Sequence, residues 1–330
     1  MSIRPIFISI TAALLATLTG CASTGAPVDR TIKVSDAVLA EARGMAIEER
    51  TNNAMMYRMG VAASALCGDG EPQYRAPFSL IINNPTAKPE MRAALYAVIH
   101  ADKLPVLQAL APSLAEYDGA EVAALNGESF DKPQKAAAAL GKAVRANEDI
   151  TLRFADGRQV VTHAISGCPS TVMVNLFGKT REPVDVGATE VLPRSWSQLP
   201  ASDDERAFIL ARSMYFTGSE GGAKLRNAAL GGAVANGLLR AVTLNLSGAV
   251  VDLKTQAVRV RRASNRTDAD AFALRVMARA GFAPSAALAF ARRAQVEGAV
   301  WPDDCAELRF DAKRIEQMED ALRGVSQASL

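Results

Sequence analysis

Apolar positions recur with helical spacing from Ser35 onward, placing Val38, Leu39, Ala42, Met45 and Ala46 on one face. A second helical stretch reads from Asn53 to Leu66 and ends at the loop signal Cys67-Gly68-Asp69-Gly70. Between 104 and 165 the pattern becomes strand-like. Pro105–Leu110 and Glu121–Leu125 read as strands, the second closed by Asn126-Gly127. A helix follows, with Pro133 in its first turn and Ala136, Ala137, Leu140 and Val144 as its stripe. Ile150–Phe154 and Gln159–His163 then flank the turn Ala155-Asp156-Gly157-Arg158 as a β-hairpin.

The C-terminal half returns to helix. Ser202 with Glu205 three residues later is a capping box, opening a helix over Arg206–Phe216. A Gly/Ala-rich stretch from Gly218 to Val251 carries Arg226 and Arg240, which argues against a transmembrane span. Thr267–Ala280 is helical, with Phe272, Ala273, Val276, Met277 and Ala280 on one stripe, Gly281 at its C-cap and Pro284 starting the next helix. A last helix over Ala312–Arg323 turns Ile315, Met318 and Leu322 inward. The order predicts an α+β fold, a β-rich unit followed by a mostly helical one.

Composition narrows the function. The 330 residues suffice for two ordinary domains, and 49% hydrophobic against 22% charged residues means a real core. A net charge of +2 lacks the basic excess of a dedicated nucleic-acid surface, so no nucleic-acid partner is expected. His100 and His163 are the only histidines, which excludes a His-rich metal centre. No metal and no cofactor are expected.

The first twenty residues read as an export signal: Arg4, the apolar run Pro5–Leu18, then Leu18-Thr19-Gly20-Cys21. The run is too short to span a bilayer comfortably. Small residues before the cysteine resemble the bacterial lipobox. That resemblance implies a lipoprotein with lipidated Cys21, held to the membrane through its N-terminal lipid. Ala22 at the next position implies the outer membrane, with the body facing the periplasm. Residues 21–34 read as a tether and 35–72 as N-terminal helices. Cys67, Cys168 and Cys305 then leave one pair and one cysteine over, in a compartment that permits disulfides.

The segments "GAEVAALNG" and "ITLRFADGRQVVTHAI", on either side of the Pro133 helix, resemble a bacterial PDZ domain, here assigned to residues 73–168. The usual Gly-rich segment is shortened to Pro112–Gly119. Pro105, at the start of the expected peptide-binding edge, removes one backbone donor and weakens capture by strand addition. His100 and His163 read as surface or strand histidines. Because PDZ termini lie close together, the resemblance implies a Cys67–Cys168 disulfide with Cys305 free.

Three further segments, "DDERAFILARSMYF", "RTDADAFALRVMARAGFAP" and "LRFDAKRIEQMEDAL", resemble the CAAX-prenyl-protease and HtpX class of zinc peptidases, family M forty-eight. The resemblance assigns residues 169–330 to a zincin-like metallopeptidase-fold domain. It also shows what is missing. The positions of the two zinc-binding histidines fall on Arg212 and Phe216, that of the catalytic Glu on Ser213, and that of the Glu of ExxxD on Arg266. The His of the closing segment falls on Leu308. Only Asp270 and Arg314 keep the family residue. A guanidinium stays protonated and offers no lone pair, and a phenyl ring has none to offer. The expectation is a degenerate peptidase with no catalytic residues, a pseudoprotease that binds an envelope protein or peptide. A hydrolase with another arrangement and a purely structural lipoprotein are the alternatives. Arg212 is expected to pair with Asp270, with Arg266 competing for the same carboxylate, Phe216 packing below, and Ser213 solvated or bonded back to its own helix.

Overall fold

The computed structural model describes residues 27–67, 73–83, 87–130, 133–168, 171–175, 184–186, 189–193, 200–218, 265–297 and 309–328. The export signal, Cys21, residues 219–264, Cys305 and Leu308 fall outside them. The protein is α+β.

A single helix, α1, runs over Asp36–Ala62 and is followed by a 3-10 turn at Ser64–Leu66. The two helical stretches expected from the sequence are therefore one. Thr51-Asn52-Asn53 are weak helix formers, but Asn52 is buried and tertiary packing outweighs their propensity. At 27 residues the helix is about 40 Å long. Three units attach along it.

The first attachment is α2, Pro89–Ile99, a helix the sequence pattern did not reveal. Its Ala94 and Leu95 bury against Ala42 of α1. Residues 28–34, expected to be part of a tether, form with Ser35 a strap along α2. The Val28 N–H donates to Asp102 Oδ1 at 2.7 Å, and the Arg30 guanidinium lies 4.4 Å from the Tyr96 ring centroid. The Ser35 N–H and hydroxyl both donate to Glu90 Oε1, at 3.0 and 2.9 Å. His100 ends α2 in a left-handed conformation, φ 57°, with its side chain in solvent.

The second attachment is the sheet unit. Strands β1 (Tyr74–Arg75), β2 (Phe78–Ile81), β3 (Val106–Ala109), β4 (Val122–Leu125) and β5 (Glu128–Ser129) precede α3, Pro133–Ala146. Then come β6 (Asp149–Phe154), β7 (Gln159–His163) and β8 (Ile165–Ser166). An antiparallel sheet has the order β5-β4-β6-β7, β2 pairs with β3, and β1 pairs with β8. Helix α3 covers β4 and β6, and Leu107, Val122, Leu125, Ile150, Leu152 and Phe154 fill the core beneath it. This element order follows the sequence reading closely, because alternation and the Asn126-Gly127 and Asp156-Gly157 turns are local signals. A polar seam fastens the unit to α1. Asn53 Nδ2 donates to Gln108 Oε1 at 2.9 Å, Gln108 Nε2 to the Arg50 carbonyl at 2.8 Å, and Arg50 pairs with Asp118.

A disulfide closes the same junction. Cys67 and Cys168 are bonded, with Cα atoms 5.5 Å apart, and both residues are buried. The Arg75 side chain lies across the joint and donates to the Cys168 carbonyl at 2.9 Å. It passes so close to Gly60 that a Cβ there would sit 1.7 Å from Arg75 Nη1. Only glycine lets the arginine through.

The third attachment is the helical core. Strand β9 (Thr171–Asn175) pairs in parallel with β11 (Thr189–Pro193), which pairs antiparallel with β10 (Val184–Val186). Helices α4 (Asp203–Gly218), α5 (Arg266–Arg279), α6 (Pro284–Glu297) and α7 (Ala312–Ala328) complete it. Met55, Met56 and Met59 of α1 enter this core beside Phe208, Met214, Phe272 and Met277. Ile315 and Met318 of α7 are buried and Leu322 packs against the cluster, as their spacing requires. No helix among the described residues is long and apolar enough to cross a membrane.

Candidate functional site

Helix α4 starts where its capping box says it should. The Ser202 N–H donates to Glu205 Oε2 at 2.8 Å, and the Glu205 N–H donates to Ser202 Oγ at 3.3 Å. Glu205 Oε1 also accepts from Arg293 of α6 at 2.7 Å. Burial works to raise the Glu205 pKa, but the bonds from Arg293 and Ser202 outweigh it and hold the carboxylate below its ordinary value. The ladder of α4 thus begins on a fixed anchor, which sets the rotation of Arg212 and Ser213 downstream.

That rotation turns Arg212 into the interior, 2% exposed, against Asp270 of α5 at 1%. Arg212 Nε donates to Asp270 Oδ1 at 2.7 Å. Arg314 of α7, 5% exposed, approaches the same carboxylate with two donors: Nε to Oδ2 at 2.7 Å and Nη2 to Oδ1 at 2.9 Å. The remaining Arg314 groups are spent locally, Nη1 on the Arg309 carbonyl and the backbone N–H on Asp311 Oδ1, each at 2.8 Å. One carboxylate therefore joins three helices. Desolvation lowers the Arg314 pKa, reinforced by the charges of Arg212 and Arg266 and opposed by Asp270.

Aromatic rings line the cluster. The Arg314 guanidinium lies 4.1 Å from the Phe310 centroid and the Arg212 guanidinium 5.8 Å from that of Phe208. Phe208, Phe290 and Phe310 stand 6.0–6.4 Å from one another. Ring faces favour cations where water is absent.

The sequence-predicted positions fall as follows. Arg212 and Asp270 meet as expected. Ser213 is buried and its Oγ donates to the Ile209 carbonyl at 3.2 Å, the back-bonded arrangement. Phe216 is buried one turn on, its ring 5.3 Å from that of Tyr215. The cluster has a member beyond the expected pair, and it is not Arg266, the alternative the sequence offered. Arg314 chelates Asp270, whereas Arg266 stands close enough to act on Arg314 through its charge. A signal for it exists, since Arg314 and Asp270 are the two residues matching the peptidase pattern, but nothing local links them across 44 residues.

No protein-family model matches the chain, and comparisons with curated proteins and with solved structures found no match.

Among the described residues, the donor set at this position does not fit a zinc ion. Its members are two guanidiniums, a hydroxyl bonded to its own helix, a phenyl ring and one carboxylate whose oxygens both accept from arginine. Among the described residues no three His, Cys, Asp or Glu side chains come together as a metal site. What the arrangement does is tie α4, α5 and α7 by charge-assisted hydrogen bonds.

The expected peptide-binding edge needs a correction. Strand β3 pairs with β2 on one side. On the other, the Leu107 N–H donates to the Ala120 carbonyl and the Leu107 carbonyl accepts from Gly119, both at 2.9 Å. The short segment Pro112–Gly119 folds back and occupies that side, so β3 is closed to strand addition. Strand β7 pairs with β6 alone among the described strands, and its Val161 is 55% exposed. His163, on the same strand, meets Asp149 of β6 at 2.7 Å in the open.

Proposed function

We propose that the chain is a bacterial outer-membrane lipoprotein, lipidated at Cys21, whose helical domain is a zincin-like fold of the CAAX-prenyl-protease and HtpX class turned pseudoprotease. Its sheet unit is PDZ-like, and the body works in the periplasm as a binding or scaffold protein. The observation that carries the reading is the Arg212–Asp270–Arg314 cluster. At the positions where the resembled peptidases hold their metal and base, buried charge pairs and a packed phenyl ring occupy the space. A buried cluster of this kind fixes geometry, and among the described residues it presents no nucleophile or proton acceptor for hydrolysis. The Cys67–Cys168 disulfide is in keeping with an oxidising compartment.

A partner would be held by the sheet unit, along the β7 edge, through backbone hydrogen bonds and the exposed Val161 face. The test is affinity capture from envelope extract with the full chain and with Val161→Pro, which removes a backbone donor. The reading predicts the same captured protein or peptide in repeat experiments, depleted by the substitution. Capture equally strong with the substituted chain contradicts the β7 site. Proteolytic activity of the purified chain contradicts the pseudoprotease.

A further inference from the structure

The open side of β7 has a definite hydrogen-bonding phase. The Phe154 N–H of β6 donates to the Arg158 carbonyl at 2.9 Å, which closes the hairpin. Thr151, opposite Val161 in the register, donates its N–H to Asn126 Oδ1 at 2.7 Å, and its carbonyl accepts from the Asn126 N–H at 2.9 Å. Alternation therefore turns the backbone of Val160 and Thr162 toward β6 and that of Gln159, Val161 and His163 outward. The side chains of these three are exposed, whereas Val160 packs on the core beneath α3. Sheets commonly guard such an edge with proline, lysine or a bulge, and the five residues of β7 hold none of these.

The outward groups are symmetric about Val161. A two-fold axis through Val161 sets two copies of β7 antiparallel, Val161 against Val161 and Gln159 opposite His163 of the other copy. The outward backbone groups then meet one another in about six hydrogen bonds, and none of them is left unpaired. Side chains agree with the same register. The exposed Val161 faces cover each other. His163 Nδ1 is engaged by Asp149 at 2.7 Å, so Nε2 is the atom left to meet the Gln159 carboxamide of the second copy. On β6, Arg153 stands beside Gln159 and Asp149 beside His163, so the axis brings unlike ends together and sets no two like charges opposite each other. Any extended strand can use the backbone groups; the two-fold match of side chains selects a second copy. We propose, on the reading of β7 as the binding edge, that its partner is a second copy of this chain, joined as an antiparallel β7–β7 pair about Val161. Five residues a side make a small contact, so the pair forms reversibly and grows with concentration.

Sedimentation equilibrium of the full chain in density-matched detergent reads the association. The parent should pass from monomer to dimer as concentration rises. Val161→Lys and Val161→Glu, at an exposed position, should each keep the fold by circular dichroism. Each should weaken the dimer at least about tenfold, because like charges then face each other across the axis. An equimolar mixture of the two should recover the dimer. A parent that stays monomeric at every concentration would overturn the second copy as partner. A dimer indifferent to both charges, or a mixture no stronger than either variant alone, would place the contact elsewhere and overturn the pairing. Capture from envelope extract separates the two levels. A monomeric parent whose captured protein is lost with Val161→Pro defeats this inference alone. A monomeric parent whose capture is unchanged by Val161→Pro defeats the β7 site and the inference together.

Discussion

Arg212 of α4 and Asp270 of α5 share a hydrogen bond of 2.7 Å at the centre of the helical core, 58 residues apart in sequence. Neither side chain has water to fall back on, since both are almost wholly buried. Burial raises the stakes of the pair in one direction. The attraction offsets two desolvation costs while both partners are present, and removing one leaves the other stranded.

Asp270→Ala strands two guanidiniums at once and is expected to destabilise the fold by about 3–5 kcal/mol. Urea unfolding followed by circular dichroism reads the change directly. A loss under about 1 kcal/mol, the range of exposed pairs, would contradict a buried cluster. Replacing all three members together with apolar residues of matching volume should cost less than Asp270→Ala alone, because no uncompensated charge remains.

The disulfide closes a loop spanning 101 residues between the end of α1 and the sheet unit. Cys67→Ser with Cys168→Ser should lower stability by about 2–4 kcal/mol. Unchanged stability under oxidising conditions would show that the bond contributes nothing to the junction.

Gly60→Ala tests the passage of Arg75. A Cβ there meets the arginine tip at 1.7 Å, while the Cys168 carbonyl holds that tip in place. The expected cost is about 1–3 kcal/mol, the usual penalty for overpacking. Adding Arg75→Met should recover part of it, and a double-mutant cycle with no coupling would refute the close approach.

Glu49 on α1 is half-buried, and desolvation pushes its pKa up to about 7, with Arg50 opposing only in part. The folded chain therefore binds this proton more tightly than the unfolded chain does. The resulting stability is complete below the unfolded pKa, near 4.5, and is lost as pH rises to about 7. Glu49→Gln should match the parent at acid pH and exceed it by about 1–3 kcal/mol at pH 8. A pH–stability profile parallel to the parent's between pH 5 and 8 would remove Glu49 from the account.

Local signals carry most of what the sequence reveals. The Ser202–Glu205 box, the Pro133 and Pro284 helix starts and the Gly281 cap each sit within a few residues of the structure they specify. What stays hidden depends on distant partners. Residues 28–34 show no periodic apolar pattern of their own, and the contacts with Asp102 and Tyr96, with Ser35 on Glu90 at their end, turn them from tether into strap. The continuity of α1 through Thr51-Asn52-Asn53 comes from packing, and the Asn53–Gln108 bond that steadies it crosses 55 residues. The Arg212–Asp270 pair is reachable through a family resemblance. Arg314 matches the same family pattern, but no spacing rule supplies its partner.

The central claim is that charge pairing, and no metal, joins α4, α5 and α7 at the positions where the proposed peptidase resemblance would place a zinc site. Metal content of the purified, folded chain by mass spectrometry, paired with urea unfolding before and after a strong zinc chelator, tests it most directly. The account predicts no stoichiometric zinc and the same unfolding midpoint in both samples. One zinc per chain, removed by the chelator together with a fall in stability or with peptide-cleaving activity, would contradict it.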